Sequence, residues 1–314
     1  MTKEHYISLG SSDLMISSMG IGTWAWGDQW YWGYGQNYSE NDVQEAFQVS
    51  LSAGINFFDT AEAYGRGESE RILGKAVRAS NQDVHIATKF FPYPWRLTQK
   101  QLISALKNSL KRLGVKQVAL YQIHWPFPPI SIETWMNALA DAVELGLTQC
   151  VGVSNYNMDQ MSRAIDALDK RGIKLASNQV VYNLLDRRIE KNGLLARCQE
   201  MNVSVIAYSP LAQGLLSGKY TIQNPPSGVR RFRYNANLIA KVQPLLNLMR
   251  EMGQEQGGKT PTQIALNWVI SKGAIPIPGV KNRQQAMEVV GALGWHLSSE
   301  QMDALDKVSQ EVSL

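Results

Sequence analysis

Two cysteines in 314 residues, Cys150 and Cys198, exclude a disulfide framework and suit a reducing compartment. Four histidines, His5, His85, His124 and His296, show no close ligand spacing, so no metal centre is expected. A net charge of +4 is small for this length and gives nucleic-acid binding little electrostatic support. No run approaches the ~18 apolar residues that span a bilayer. The opening Met1-Thr2-Lys3-Glu4-His5-Tyr6 has no apolar signal core. These absences predict a cytoplasmic protein with neither nucleic acid nor membrane as partner. What is present is 44% hydrophobic residues against 18% charged, the balance of a globular chain with a large core.

Strand-like and helix-like patterns alternate from residue 18 onward. Strands are expected at 18–22, 56–59, 84–88, 120–124, 150–153, 177–181, 204–208 and 275–278. Eight strands separated by helices are what a closed (β/α)8 TIM barrel needs, so the fold class is α/β. The helices carry their own punctuation. Thr98 with Gln101 opens one and Gly114 stops it; Ser131 and Gly146 bracket the next; Thr260-Pro261 opens the helix 262–272. Residues 7–16 read as an N-terminal β-hairpin that closes the barrel floor. With no linker or low-complexity tract, one domain over 1–314 is expected.

Gly20-Ile21-Gly22-Thr23-Trp24-Ala25 matches the G-x-G-x-x-G/A dinucleotide pattern. A true fingerprint opens directly into a helix whose N-terminus holds pyrophosphate. Here a Trp/Gly/Tyr-rich stretch follows, and no helix signal precedes Ser39. A nucleotide-binding open sheet is therefore rejected.

Chemistry-bearing residues gather at the ends of the expected strands. Asn56-Phe57-Phe58-Asp59 ends on a carboxylate, with Tyr64 one loop later; Thr88-Lys89 and His124-Trp125-Pro126 end two others. Strand alternation puts 85, 87 and 89 on one face and 120, 122 and 124 on another. If Ala87 fills the interior, Lys89 points inward at the top and His124 into the mouth. A buried lysine needs a counter-charge, and Asp59 is the candidate. An ammonium beside a phenol favours its ionised form, so Tyr64 is expected to be a stronger proton donor than free tyrosine.

These four residues, in this order and context, resemble the catalytic tetrad of aldo-keto reductases, and the resemblance covers nearly the whole chain. It implies tyrosine as acid (Tyr64), lysine and aspartate as its tuning pair (Lys89, Asp59) and histidine as orienter of the carbonyl (His124). It also implies NADPH/NADP+ as cofactor. Gly22, Thr23, Trp24 and Asp59 would border it. Ser154, Asn155 and Gln179 resemble the residues that bind the nicotinamide carboxamide, and Tyr208 the aromatic that stacks on the ring. Ser209, Pro210, Leu211, Gly214, Leu216 and Lys219 match the loop over the pyrophosphate, with Arg231 as a further contact. Pro278, Gly279, Lys281, Arg283, Gln285 and Glu288 match the adenosine end, where Lys281 would meet the 2′-phosphate. Val289 stands where the family usually has asparagine near the adenine.

Two long segments remain. Residues 24–38 hold Trp24, Trp26, Trp30, Tyr31, Trp32, Tyr34 and Tyr38. They form either a packed loop over the mouth or the aromatic wall of a substrate pocket, and a rim position favours the wall. The pocket is then read as Trp24, Tyr64, Trp95, His124 and Trp125, suited to hydrophobic or small reactive carbonyl substrates. The other segment, 215–237, carries the basic run Arg230-Arg231-Phe232-Arg233; its length argues for a functional loop. The resemblance extends to cyanobacterial and chloroplast members, which implies reduction of methylglyoxal-like aldehydes, with pyridoxal as a rival substrate. Slow-turnover redox sensing, as in the barrel subunits of potassium channels, is the alternative from another class.

Overall fold

A computed structural model of the protein describes residues 6–226 and 234–312. A small antiparallel hairpin comes first, β1 (Tyr6–Ser8) and β2 (Met15–Ser17), with Ile7 opposite Ile16. Eight parallel strands follow in chain order within one sheet: β3 (Ile21–Gly22), β4 (Phe57–Asp59), β5 (His85–Phe90), β6 (Val118–Ile123), β7 (Thr148–Ser154), β8 (Leu175–Val181), β9 (Ser204–Tyr208) and β10 (Ile275–Pro276). The Gly20 and Gly22 N–H groups donate to the Pro276 and Pro278 carbonyls, both at 3.0 Å, which joins the first strand to the last and closes the barrel. A Cβ on Gly22 would meet the Ile277 carbonyl oxygen at 3.0 Å, so the seam depends on a residue without a side chain.

β5 runs on through Phe90 and places Lys89 inside the strand, whereas His124 lies one residue past β6. β3 and β10 shrink to two residues each. Their shared seam contains Pro276 and Pro278, which have no N–H to extend a ladder.

Alternation fills the barrel from below. Phe57, Ala87, Leu120, Cys150, Ala176, Ile206 and Ile275 form a buried inner cluster, and Leu9 and Ile16 of the hairpin belong to it. The Gly10 N–H donates to Ser204 Oγ at 2.8 Å and the Ser17 N–H to Asn56 Oδ1 at 2.8 Å, which pins the hairpin under the strands. Since Ala87 is interior and low, Lys89 two residues on is interior and high.

The outer helices follow their caps. Thr98 and Gln101 form a capping box on Gln99–Leu113, and Gly114 ends that helix at φ 71°. Its Leu102, Leu106, Leu110 and Leu113 are buried, each contributing about 1.5–3 kcal/mol of transfer free energy. Thr260 and Gln263 cap Pro261–Ser271 in the same way. The stretch 23–38 contains no helix; the first one, Glu40–Ser52, starts after its cap Ser39. Among the described residues no helix is long and apolar enough to cross a membrane, and no group of three or more His, Cys, Asp or Glu is placed to hold a metal ion.

Candidate active site

At the C-terminal end of the strands, Lys89 Nζ donates to Asp59 Oδ1 at 2.5 Å, to the Thr60 carbonyl at 2.8 Å and toward Tyr64 Oη at 3.3 Å. The ammonium also lies 4.9 Å from the centroid of the Tyr64 ring. The other carboxylate oxygen, Asp59 Oδ2, accepts from Gln179 Nε2 at 2.8 Å and from Gln122 Nε2 at 3.3 Å. Lys89, Asp59, Gln122 and Gln179 are all buried, so this ion pair survives burial because each remaining polar site has a partner.

Burial alone would depress the pKa of Lys89. Asp59 and Tyr64 beside it more than offset that, so the ammonium holds its proton above the ordinary lysine range. Tyr64 departs from expectation. Burial of its hydroxyl raises the phenol's pKa, and Lys89 pulls it down by less, so the net direction is upward. The ammonium therefore limits the cost of a phenolate there without making Tyr64 more acidic than a free tyrosine. His124 is pushed down to about 3, by burial first and by the Lys89 charge second, and its imidazole is neutral near pH 7. Its Nδ1 is buried with no partner among the described residues. The ring stands edge-on to Tyr64, centroids 5.7 Å apart.

On the next strand ends, Ser154 Oγ donates to the Gln179 carbonyl at 2.9 Å. Asn155 sits at φ 63°, a conformation its short amide tolerates. Its Nδ2 donates to the His124 carbonyl at 3.1 Å and to Ser154 Oγ at 3.0 Å, while Oδ1 accepts from Tyr208 Oη at 3.0 Å. These contacts bind β7, β8, β9 and the His124 loop into one rigid wall.

The wall borders a cavity of about 660 Å³, a size typical of small-molecule sites. Its lining includes Gly22, Trp24, Asp59, Tyr64, His124, Trp125, Ser154, Asn155, Gln179, Tyr208, Ser209, Pro210, Leu211, Gly214, Lys219, Pro278, Gly279, Lys281, Gln285 and Glu288. The aromatic stretch packs on itself and over the mouth. Trp24 stacks on Tyr31 at 5.2 Å and meets Trp32 edge-on at 5.4 Å, and Tyr31 Oη bonds to Gln213 Oε1 at 2.6 Å across the opening. Lys281 Nζ donates to the Trp32 carbonyl at 3.1 Å and lies over the Trp32 and Tyr38 rings at 4.6 and 4.8 Å.

Several expected residues do not reach the cavity. Thr23 is buried beneath it, its hydroxyl donating to the Asp59 carbonyl at 3.0 Å. Leu216 packs into the outer core. Arg283 opens the helix Arg283–Val290, whose Gln284, Gln285 and Glu288 turn to the cavity; Arg283 faces a separate outer depression with Asn41 and Glu45. Trp95 stacks on Tyr93 at 4.8 Å and is 67% exposed, away from the lining. Arg231, with the rest of the Arg230–Arg233 run, lies outside the described residues. Conversely, Gln213 and Thr262 line the cavity and Gln122 braces Asp59 without having been singled out as site residues, while Trp32 lines it as a member of the expected aromatic wall. Gln122 had a signal, a polar side chain on the inward face of 120, 122 and 124. Thr262 had none: it is an ordinary first-turn helix residue that borders the cavity, while its Oγ1 is buried with no partner among the described residues.

The model of the Aldo/keto reductase family matches residues 18–310. The chain is 39% identical over 311 residues to the chloroplastic pyridoxal reductase of Arabidopsis thaliana, covering 95% of this chain and 84% of that protein. Among solved structures it is similar to the glycerol dehydrogenase of Gluconobacter oxydans, with TM-score 0.85 and 27% identity over 98% of this chain and 95% of that one. It is also similar to an aldo-keto reductase of Klebsiella pneumoniae in complex with NADPH, with TM-score 0.74 and 26% identity over 96% and 94% of the two chains.

Proposed function

The chain belongs to the aldo/keto reductase family, and from that premise we propose that it reduces an aldehyde or ketone with NADPH, acting as one domain over 1–314 with Tyr64 as proton donor. The observation that carries this reading is the Tyr64 hydroxyl, set against the buried Lys89–Asp59 pair and lining an aromatic-walled cavity beside His124.

The lining suits a long phosphate-bearing dinucleotide. Lys219 and Lys281 supply positive charge. Ser154, Asn155, Gln179 and Tyr208 would hold the nicotinamide end; Ser209, Pro210, Leu211, Gly214 and Lys219 the pyrophosphate; Pro278, Gly279, Lys281, Gln285 and Glu288 the adenosine end, with Lys281 on the 2′-phosphate. When bound, NADPH supplies a hydride for the carbonyl carbon. The side chains handle the oxygen. Tyr64 donates a proton to it, and neutral His124 hydrogen-bonds it and fixes its direction. Lys89 stabilises the phenolate left behind, and Asp59 with Gln122 and Gln179 keeps Lys89 in place.

Trp24, Trp32 and Trp125 on the cavity wall favour a flat aromatic aldehyde. The likeness to a pyridoxal reductase supports pyridoxal as that substrate. The test is steady-state NADPH oxidation with pyridoxal, benzaldehyde, methylglyoxal and short aliphatic aldehydes. Turnover with kcat/KM highest for pyridoxal is expected. Oxidation that no carbonyl stimulates would end the reductase reading, and a clear preference for methylglyoxal would end the aromatic one.

A further inference from the structure

Glu62 and Arg96 lie outside the cavity lining and take no part in the roles above. Glu62 stands two residues before Tyr64, and Arg96 closes the loop that leaves β5. Their side chains are 7% and 18% exposed and form a two-pronged ion pair: Arg96 Nη1 meets Glu62 Oε1, and Nη2 donates to Oε2 at 3.0 Å. Such a pair is retained in a desolvated place only when its remaining sites are satisfied. Here one further site on each partner is taken by a single residue. The Phe91 N–H donates to Glu62 Oε1 at 2.8 Å, and the Phe91 carbonyl accepts from Arg96 Nη1 at 2.9 Å. The guanidinium is further seated over the rings of Phe90 and Tyr93, at 4.7 and 5.2 Å.

Phe91 then touches the chemistry. Its ring meets His124 edge-on, centroids 5.5 Å apart, and His124 meets Tyr64 in the same way at 5.7 Å. The Tyr64 loop needs an outside anchor, because the next three residues, Gly65, Arg66 and Gly67, all have left-handed backbones, φ 54°, 56° and 87°. Arg66 is strained in that conformation. A closed circuit results, from Tyr64 through its loop to Glu62, across to Phe91, on to His124 and back.

We infer that Glu62 and Arg96 are positioning residues that set the spacing of Tyr64 and His124 around the carbonyl oxygen. This rests on the carbonyl-reduction reading. An ion pair that only stapled the fold would change melting temperature and leave turnover by the folded molecule alone.

The test compares the wild type with Glu62→Gln, Arg96→Lys, Arg96→Met and the double variant Glu62→Gln/Arg96→Met, well below their melting temperatures, using the carbonyl that the wild type turns over best. Glu62→Gln and Arg96→Met are expected to lose roughly 10- to 100-fold in kcat, the scale of an ångström-level misplacement. NADPH affinity by fluorescence titration stays at the wild-type value, and the isotope effect with hydride-deuterated NADPH rises. Arg96→Lys recovers part of the loss, and the double variant is no worse than the poorer single one. Wild-type kcat in folded Glu62→Gln and Arg96→Met overturns the inference, as does a kcat loss matched by an equal loss of NADPH affinity. A wild type that turns over no carbonyl overturns the functional reading itself, before any variant is made.

Discussion

Lys89 Nζ lies 3.3 Å from the phenolic oxygen of Tyr64, and the same ammonium lies 2.5 Å from Asp59. One cation thus serves a buried carboxylate and an ionisable hydroxyl at once. Because Asp59 takes its other hydrogen bonds from Gln122 and Gln179, neutral amides complete the carboxylate's shell without adding charge. The ammonium's field is left to act on Tyr64.

Tyr64→Phe keeps the ring and removes the proton donor. A fall in kcat of about 10²–10⁴-fold is expected, the usual weight of general acid catalysis, with NADPH affinity unchanged. Stopped-flow turnover alongside a cofactor titration checks both halves, and near wild-type kcat would remove Tyr64 from the chemistry.

Lys89→Met should cost as much in kcat as loss of the tyrosine hydroxyl and should also destabilise the fold. Removing one member of a buried ion pair typically costs about 3–5 kcal/mol, since the partner is left buried and uncompensated. Urea unfolding reads the stability. An active variant of unchanged stability would mean that the pair neither tunes Tyr64 nor supports the barrel.

Lys281→Ala is expected to weaken NADPH binding by about 10- to 150-fold, equivalent to roughly 1.5–3 kcal/mol for a charge-assisted contact, and NADH binding far less. Lys281 also ties down Trp32 and lies against Tyr38, so KM for an aromatic aldehyde should rise in the same variant. Fluorescence titration of both cofactors separates the effects; equal losses for the two would show that Lys281 does not read the 2′-phosphate.

His124 predicts a pH effect on stability. Its folded pKa of about 3 lies below the unfolded value near ~6.5. Above the unfolded value both states are neutral and the group contributes nothing. As pH falls from there toward 3 the unfolded chain takes up a proton that the folded one refuses, and stability drops. His124→Asn should therefore lose less stability than the wild type between pH 7 and pH 4. Parallel denaturation curves at the two pH values measure this, and equal losses would place the imidazole in a less hostile environment. By the same shift, the pH–rate profile should show no limb from His124 near neutrality.

Strand ends were legible where an apolar run stops at a residue that could not be buried alone, as at Asp59 and His124. The barrel's starting edge was less so: Ser18 and Met19 look like strand, but the prolines opposite cannot continue a ladder. Site residues could be read where a strand alternates, as with Lys89 and His124. In loops only the family resemblance singled them out, and it erred where neighbours in sequence diverge in space, as Thr23 and Trp24 do at the cavity and Arg283 and Gln284 do on one helical turn. Trp95 illustrates the limit. Nothing in its composition tells an aromatic that lines a pocket from one stacked on Tyr93 outside it. The acidity of Tyr64 could not be read either, because it depends on how burial weighs against a nearby charge.

The glycine–proline seam between residues 20–22 and 276–278 carries a consequence for synthesis. The sheet has no closing partner for its first strand until almost the whole chain has left the ribosome. Until then β3 presents an unpaired edge, and β9 gains its neighbour only when β10 arrives. A nascent chain stalled before residue 275 therefore exposes two sticky borders at once, so chaperone dependence and aggregation of truncated products should change abruptly at that length.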